Sequence, residues 1–202
     1  LPRTEEQYEA MRTATRNKIH SAAIKLFAKR GFAATSVKDI ADSAGISIGL
    51  MYRHYKTKGD LFNELVSYAA EGLDKVVKKF QSDESPKELI RLFTLDILND
   101  LDNDEEVAEF YMLMNQSLSM EEPSSQIQDL NKQSEALLNQ TTHLIEKGQE
   151  LDQFKQGNAS EMAFYYFASI QGLMMIKITI GERFKAPNLK IVTEFLIKDY
   201  HD

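Results

Sequence analysis

The stretch Thr35–Lys58, TSVKDIADSAGISIGLMYRHYKTK, decides how the rest of the chain is read. Two short segments with helical spacing flank Ala44-Gly45-Ile46-Ser47. Thr35 or Ser36 stands before Val37–Ala44, and Ser47 before Ile48–Tyr55, where a short side-chain oxygen accepts an otherwise unpaired first-turn N–H. Gly45 falls where a tight helix-to-helix turn needs a positive φ. Val37, Ile40 and Ala41 on the first segment, and Ile46 and Met51 around the second, are spaced to pack inward. Eight helical residues measure about 12 Å at 1.5 Å per residue, close to the roughly 12 Å width of the DNA major groove. The second helix of the pair therefore fits that groove with its N-terminal half against base edges.

Working outward, a first helix is expected over Glu6–Arg30, its apolar stripe formed by Ile19, Ala22, Ala23, Leu26 and Phe27. Gly31 stops it, and Lys29-Arg30 sits on the negative end of the dipole. Thr57 caps a long helix from Lys58 to Gln81. Ser85 caps the next, with Pro86 in its first position, running to Asn99. Further helices are expected over Asp104–Met120 and, beyond Pro123, over Ser124–Gln149. Residues 151–158 form a polar link before a nearly all-apolar helix, Ala159–Ile180, and a last one, Pro187–Tyr200. Nowhere do apolar and polar residues alternate long enough for a sheet. The fold class is all-α: an N-terminal three-helix helix-turn-helix domain, residues 1–57, and a larger C-terminal helical bundle, residues 58–202. About nine helices result, with helix 58–81 linking the two parts.

The chain has 202 residues, 43% hydrophobic and 27% charged, an ordinary globular balance. No uncharged run of eighteen apolar residues occurs, so no membrane span is expected. The opening Leu1-Pro2-Arg3-Thr4-Glu5-Glu6 lacks the apolar core of a signal peptide. Zero cysteines exclude disulfides and thiolate metal sites, and the plain reading is a cytoplasmic protein. The net charge of −7 is unevenly distributed. Residues 1–66 carry eleven Lys and Arg against seven Asp and Glu, a net +4, while the remainder carries thirteen against twenty-four, a net −11. A basic head on an acidic body can turn one face to phosphates while the body is repelled from them.

Catalysis finds little support. His20, His54, His143 and His201 are scattered through unrelated helices, and there is no G-x-S-x-G, phosphate loop or paired metal-ligand spacing. The acidic run Asn99–Glu106 opens like a calcium loop, but Glu105 stands where that loop needs glycine and Tyr111 where it needs a bidentate Glu. No enzyme activity, cofactor or metal is expected. A helical module that binds lipid or protein is the remaining rival, and the basic head argues against it.

The stretch resembles the TetR/AcrR family of bacterial regulators from residue 13 to about 66. The resemblance is carried by LFAKRGFAATSV, then IADSAGIS, then GLMYRHYKTKGDLFNEL. It implies phosphate contacts by Thr35, Ser36 and Lys38 at the opening of the second helix, by Tyr52 and His54, and by Lys58 at the start of the fourth. Base reading would fall to Ser47, Ile48, Gly49, Leu50 and Arg53. Arg53 can grip guanine bidentately, worth about 1–3 kcal/mol of discrimination, or it can rest in solvent or on a phosphate. Tyr55 reads as core.

The resemblance further implies a ligand pocket in the larger domain. Candidates for its lining are Phe110, Tyr111, Met112 and Met114, with Met162, Phe164, Tyr165, Tyr166, Phe167, Met174 and Met175; adaptable Met and aromatic side chains suit such a cavity. It also implies a homodimer joined through the last two helices, for which Ala168, Ser169, Gly172, Ile191, Phe195 and Leu196 are the candidate contacts. The expectation is a repressor bound to a pseudo-palindromic double-stranded DNA operator and released by a small-molecule effector.

Overall fold

The computed structural model describes residues 5–118, 120 and 122–198. Among them are nine α-helices: α1 Glu5–Arg30, α2 Val37–Ala44, α3 Ile48–His54, α4 Lys58–Phe80, α5 Pro86–Asn103, α6 Val107–Ser117, α7 Ser125–Glu150, α8 Ala159–Ile180 and α9 Leu189–Thr193. Ser36, Ser47, Thr57 and Ser85 cap their helices as the sequence calls for, and Ser124 and Asn158 are caps it did not single out. Each accepts a first-turn N–H.

Two apolar cores divide the chain. One gathers α1, α2, α3, the first half of α4, Leu113 and Met114 of α6, and Ile127 and Leu130 of α7. The other gathers Val77 and Phe80 of α4 with α5, the rest of α7, α8 and the C-terminal segment. Leu73 borders both, so α4 runs from one core into the other. The head therefore does not pack alone: α6 and the start of α7 complete it.

The main departures from the sequence expectation lie at α5, α6 and the last helix. α5 continues to Asn103 and α6 begins only at Val107. Asp104 causes this, because it caps α5 and its carboxylate then accepts the Glu106 N–H at 2.8 Å, turning the chain before α6. The last helix, expected over Pro187–Tyr200, spans five residues. Beyond it the chain turns and pairs with the α7–α8 link: Lys155 N–H donates to Leu196 O at 2.8 Å and Lys198 N–H to Gln153 O at 3.0 Å. That pairing satisfies backbone groups that a longer helix would otherwise serve. Tyr200 lies outside the described residues.

α8 needs separate mention. Ala159–Arg183 is, by length and composition, apolar enough to cross a membrane, although Glu161 and Lys177 limit its uncharged run to fifteen residues. Only 22% of its most apolar window is buried within the chain. One face packs inward through Ala163, Tyr166, Ile170 and Met174. The opposite face leaves Phe164, Tyr165, Met175 and Ile176 about half exposed.

Candidate nucleic-acid interface

The helix-turn-helix is fixed by local chemistry. Gly45 takes φ 67° and ψ 34°, and its N–H bonds back to Ala41 and Asp42 carbonyls. Ile46 N–H reaches Ala41 O at 3.0 Å, closing α2 and turning the chain into α3. Ile40, Ala41 and Met51 are fully buried beneath the pair. On the outer side of α3, Ser47, Ile48, Gly49, Tyr52 and Arg53 are exposed, and Leu50 is half-buried at the edge. A Cβ built on Gly49 meets nothing within 4 Å, so no contact inside the chain requires glycine there.

The N-termini of α2 and α4 open into one hollow of about 450 Å³ lined by Ser36, Val37, Lys56, Thr57 and Lys58, among others. The N-terminal ends of two helices thus border a common space, and the positive ends of their dipoles favour a phosphate group there. Ser36 caps its helix reciprocally with Asp39, and Thr57 does so with Asp60, which fixes both openings. Lys38 is exposed on α2. Lys56, exposed at the rim, escaped the sequence reading; its signal was a cation directly before the Thr57 cap.

Two expected phosphate contacts are corrected. Thr35 is 1% exposed, and its hydroxyl donates to Gly31 O at 2.9 Å. The Lys58 ammonium donates to Phe32 O at 2.7 Å, Thr35 O at 2.8 Å and Ala33 O at 3.1 Å, and lies 4.6 Å from the Phe32 ring centroid. All three of its N–H groups are committed to the α1–α2 loop. Carbonyls left over after α1 ends need donors, and Lys58 supplies them. Both residues shape the hollow from beneath. His54 is half-buried, its ring centroid 6.4 Å from that of Tyr55, and its pKa is lowered by burial and by the charges of Arg12 and Arg16.

The end of α3 is held by a polar cluster that sequence patterning missed. Tyr55, 5% exposed, donates its hydroxyl to Glu64 Oε1 at 2.8 Å. Arg16 reaches the same oxygen with Nε at 2.8 Å and Nη2 at 2.6 Å. His20 Nε2 lies 2.9 Å from that oxygen and 2.8 Å from the Tyr55 hydroxyl. Since the Tyr55 proton goes to Glu64, His20 carries its own proton on Nε2. Burial works to raise the Glu64 pKa, but hydrogen bonds from Arg16 and Tyr55 and nearby positive charge outweigh it, and the carboxyl is held below its ordinary range. Burial, opposed by Glu64 and aided by Arg16, lowers His20. Burial and Glu64 raise Tyr55. One carboxylate on α4 thereby ties α1 to the C-terminus of α3.

α6 touches both cores. Glu106 at its start bonds Ser21 and pairs with Lys25 at 3.2 Å, both on α1. Phe110 packs toward the head beside Tyr68, ring centroids 6.2 Å apart, and Met114 is buried in the head core. Both pack into the head core and neither borders the α6–α8 cleft, which corrects those two candidates. The other face of α6 borders a cleft of about 370 Å³ against α8, where Tyr111, Met112, Met174 and Met175 are brought together with Asn115, Gln116, Gln171 and Ile178. Tyr165 is also corrected: it points outward, 60% exposed, against Phe195 at 4.7 Å. Tyr166 is core, hydrogen-bonded to Thr94 at 2.7 Å. Of the expected dimer contacts, Ala168, Gly172 and Ile191 are exposed and Ser169 and Phe195 half-buried, whereas Leu196 is fully buried and faces inward.

Comparison with known proteins agrees with this geometry. Residues 19–65 match the family described as "Bacterial regulatory proteins, tetR family". The chain is 33% identical over 103 residues to the probable HTH-type transcriptional regulator YttP of Bacillus subtilis, covering 50% of each chain. It is 34% identical over 89 residues to the HTH-type transcriptional regulator TtgR of Pseudomonas putida, covering 43% of this chain and 42% of that one. The chain thus spans half or less of these relatives' length. The fold is similar to that of SmeT, the repressor of the Stenotrophomonas maltophilia multidrug efflux pump SmeDEF, with TM-score 0.62, 20% identity and 91% of each chain covered. It is also similar to a regulator from Saccharomonospora viridis in complex with choline, with TM-score 0.64, 20% identity, and 91% and 98% of the two chains covered.

Proposed function

Residues 19–65 match the tetR family of bacterial regulatory proteins, and on that premise we propose that this chain belongs to that family and is a homodimeric repressor released from DNA by a small molecule. The observation that carries the proposal is the exposed outer face of α3 beside a hollow into which two helix N-termini open. Ser47, Ile48, Gly49, Leu50, Tyr52 and Arg53 offer a groove-reading face. Apolar Ile48 suits thymine methyls, Gly49 permits close approach, and Arg53 suits a guanine edge. Ser36, Lys38 and Lys56 rim the phosphate cradle, and Lys58 and Thr35 hold its floor.

The dimer is supported by α8, whose outward side chains Phe164, Tyr165, Met175 and Ile176 remain about half exposed beside Ile191 at 70%. Burying such a stripe against a second copy removes it from water. SmeT has been seen with triclosan, and the S. viridis regulator with choline. By analogy, the α6–α8 cleft is our candidate effector site. An effector there releases DNA by favouring an arrangement of α6 in which the heads no longer fit the operator.

Selection of bound duplexes from a random pool, followed by affinity on the winner at 50 and 200 mM salt, tests the reading. A pseudo-palindrome whose affinity falls steeply with salt is the expected result. No enriched sequence, or salt-insensitive binding, refutes it in favour of a helical protein- or lipid-binding module.

A further inference from the structure

The cleft between α6 and α8 has a composition that narrows what it takes. Its polar groups are the Tyr111 hydroxyl and the side-chain amides of Asn115, Gln116 and Gln171, and its apolar surface is largely thioether. Among the described residues no Asp, Glu, Lys, Arg or His lines it. A charged solute entering such a lining loses its hydration without gaining a counter-charge, which is costly, whereas hydroxyl and carbonyl groups find partners among amides. At about 370 Å³ the cleft falls within the usual range of small-molecule sites, roughly 300–1,000 Å³. Flexible methionines adapt to varied shapes.

Among the described residues the cleft is open along one side. Gln171 and Met175 form its lip, and both are exposed, Met175 by 55%. The same two residues lie along the outward stripe of α8 that carries Tyr165, Ala168, Gly172 and Ile176. A Cβ at Gly172 meets nothing within 4 Å, and Ala168 is small and exposed, so another helix can approach closely beside the lip. The open side of the cleft and the unpartnered apolar face are therefore one continuous surface.

We infer that the cleft binds an uncharged, amphipathic molecule and that a second copy of this chain supplies its missing wall. This rests on the dimeric, ligand-responsive reading above. Ligand binding and dimerisation are then coupled through Gln171 and Met175: the monomer holds half a site.

The test uses the full chain and the neutral dye N-phenyl-1-naphthylamine, with 1-anilinonaphthalene-8-sulfonate and rhodamine 6G as anionic and cationic counterparts. Oligomeric state is followed by sedimentation and fold by circular dichroism. The wild-type dimer is expected to bind the neutral dye saturably, one per subunit, and more tightly than either charged dye. Gly172→Arg, at an exposed position without neighbours, is expected to give a folded monomer with at least tenfold weaker dye binding. Tyr165→Lys serves the same purpose should Gly172→Arg fail to fold. Met112→Trp fills the cleft from α6 and should lose the dye while remaining dimeric.

Undiminished dye binding by a folded monomer overturns the shared wall, as does a Gly172→Arg chain that stays dimeric. Preference for the anion overturns the ligand class. Preference for the cation does so too. Dye binding unaffected by Met112→Trp moves the site elsewhere and overturns the inference. A monomeric wild type is a separate result: it sinks the dimer reading itself.

Discussion

Replacing Tyr55 by Phe removes one oxygen from the cluster that anchors the C-terminus of α3 while leaving the buried ring in place. The lost bond runs from the phenol to a carboxylate at 2.8 Å. Hydrogen bonds to charged groups contribute about 1.5–3 kcal/mol. Glu64 is 30% exposed at its side chain, so solvent screening moves the value to the lower end, about 1–1.5 kcal/mol. α3 has seven residues and no stability of its own, so its direction depends on the buried Met51 and on this anchor. If about 1 kcal/mol of the loss appears in DNA binding, operator affinity falls about fivefold. Urea denaturation measures the first quantity and fluorescence anisotropy on a selected duplex the second. Glu64→Gln should act in the same direction and more strongly, because Arg16 loses its charged partner as well. Unchanged stability refutes the energetic argument. Lower stability with unchanged operator affinity refutes the claim that the cluster positions α3.

Four shorter predictions accompany it. In Gly148→Ala the new Cβ would lie 2.1 Å from the ring of fully buried Phe154, so thermal denaturation should reveal a loss of about 1–3 kcal/mol. Lys56→Ala should reduce the salt slope of operator binding by about one with little change in melting temperature, whereas Lys58→Met should lower the melting temperature through the loss of three carbonyl contacts. Stability should decline on acidification: His20, His54 and Glu64 all have lowered folded-state pKa values, so the unfolded chain takes up more protons. The loss begins below the ordinary histidine value of 6.5 and continues below the ordinary Glu value of 4.5, and His20→Asn should flatten its upper part in melts between pH 7.5 and 5. Glu106→Gln cuts the contacts of α6 with Ser21 and Lys25 and should weaken the effect of cleft occupancy on operator affinity; coupling equal to wild type refutes that path.

The legible parts of this chain were those whose causes are near neighbours in sequence. Gly45, the Ser47 and Thr57 caps, and the inward spacing of Ile40, Ala41 and Met51 are each determined within a few residues, and they stand where expected. Lys58 and Thr35 failed for the opposite reason. The carbonyls that hold the Lys58 ammonium belong to residues 32–35, brought beneath it by the packing of α1 against α4, and no local pattern records that encounter. The C-terminal part failed in a related way. Periodicity identified α6 and α8 as carrying apolar faces, but it does not say what each face meets. Phe110, Met114 and Tyr165 carry the side-chain types that suit a lining, yet they face the head core or solvent. Leu196 was assigned outward because a helix was expected where the chain pairs with residues 153–155.

That division also explains how an effector could act at a distance without a lever of special design. The two cores share α4, but a helix of 23 residues with buried side chains along both halves resists bending at one point. α6 is shorter, eleven residues, and is wedged between the cores: Leu113 and Met114 enter the head core, while Tyr111 and Met112 line the cleft. Packed cores tolerate sub-ångström displacement poorly and respond by exchanging one packing for another. A molecule that pushes Tyr111 and Met112 outward therefore presses Leu113 and Met114 into the core beneath α1 and α4, and shifts Glu106 against Ser21 and Lys25. On the proposed function, the direction of coupling follows from which packing the occupied cleft permits, and reciprocity then requires operator binding to lower the affinity of the cleft for its ligand by the same factor.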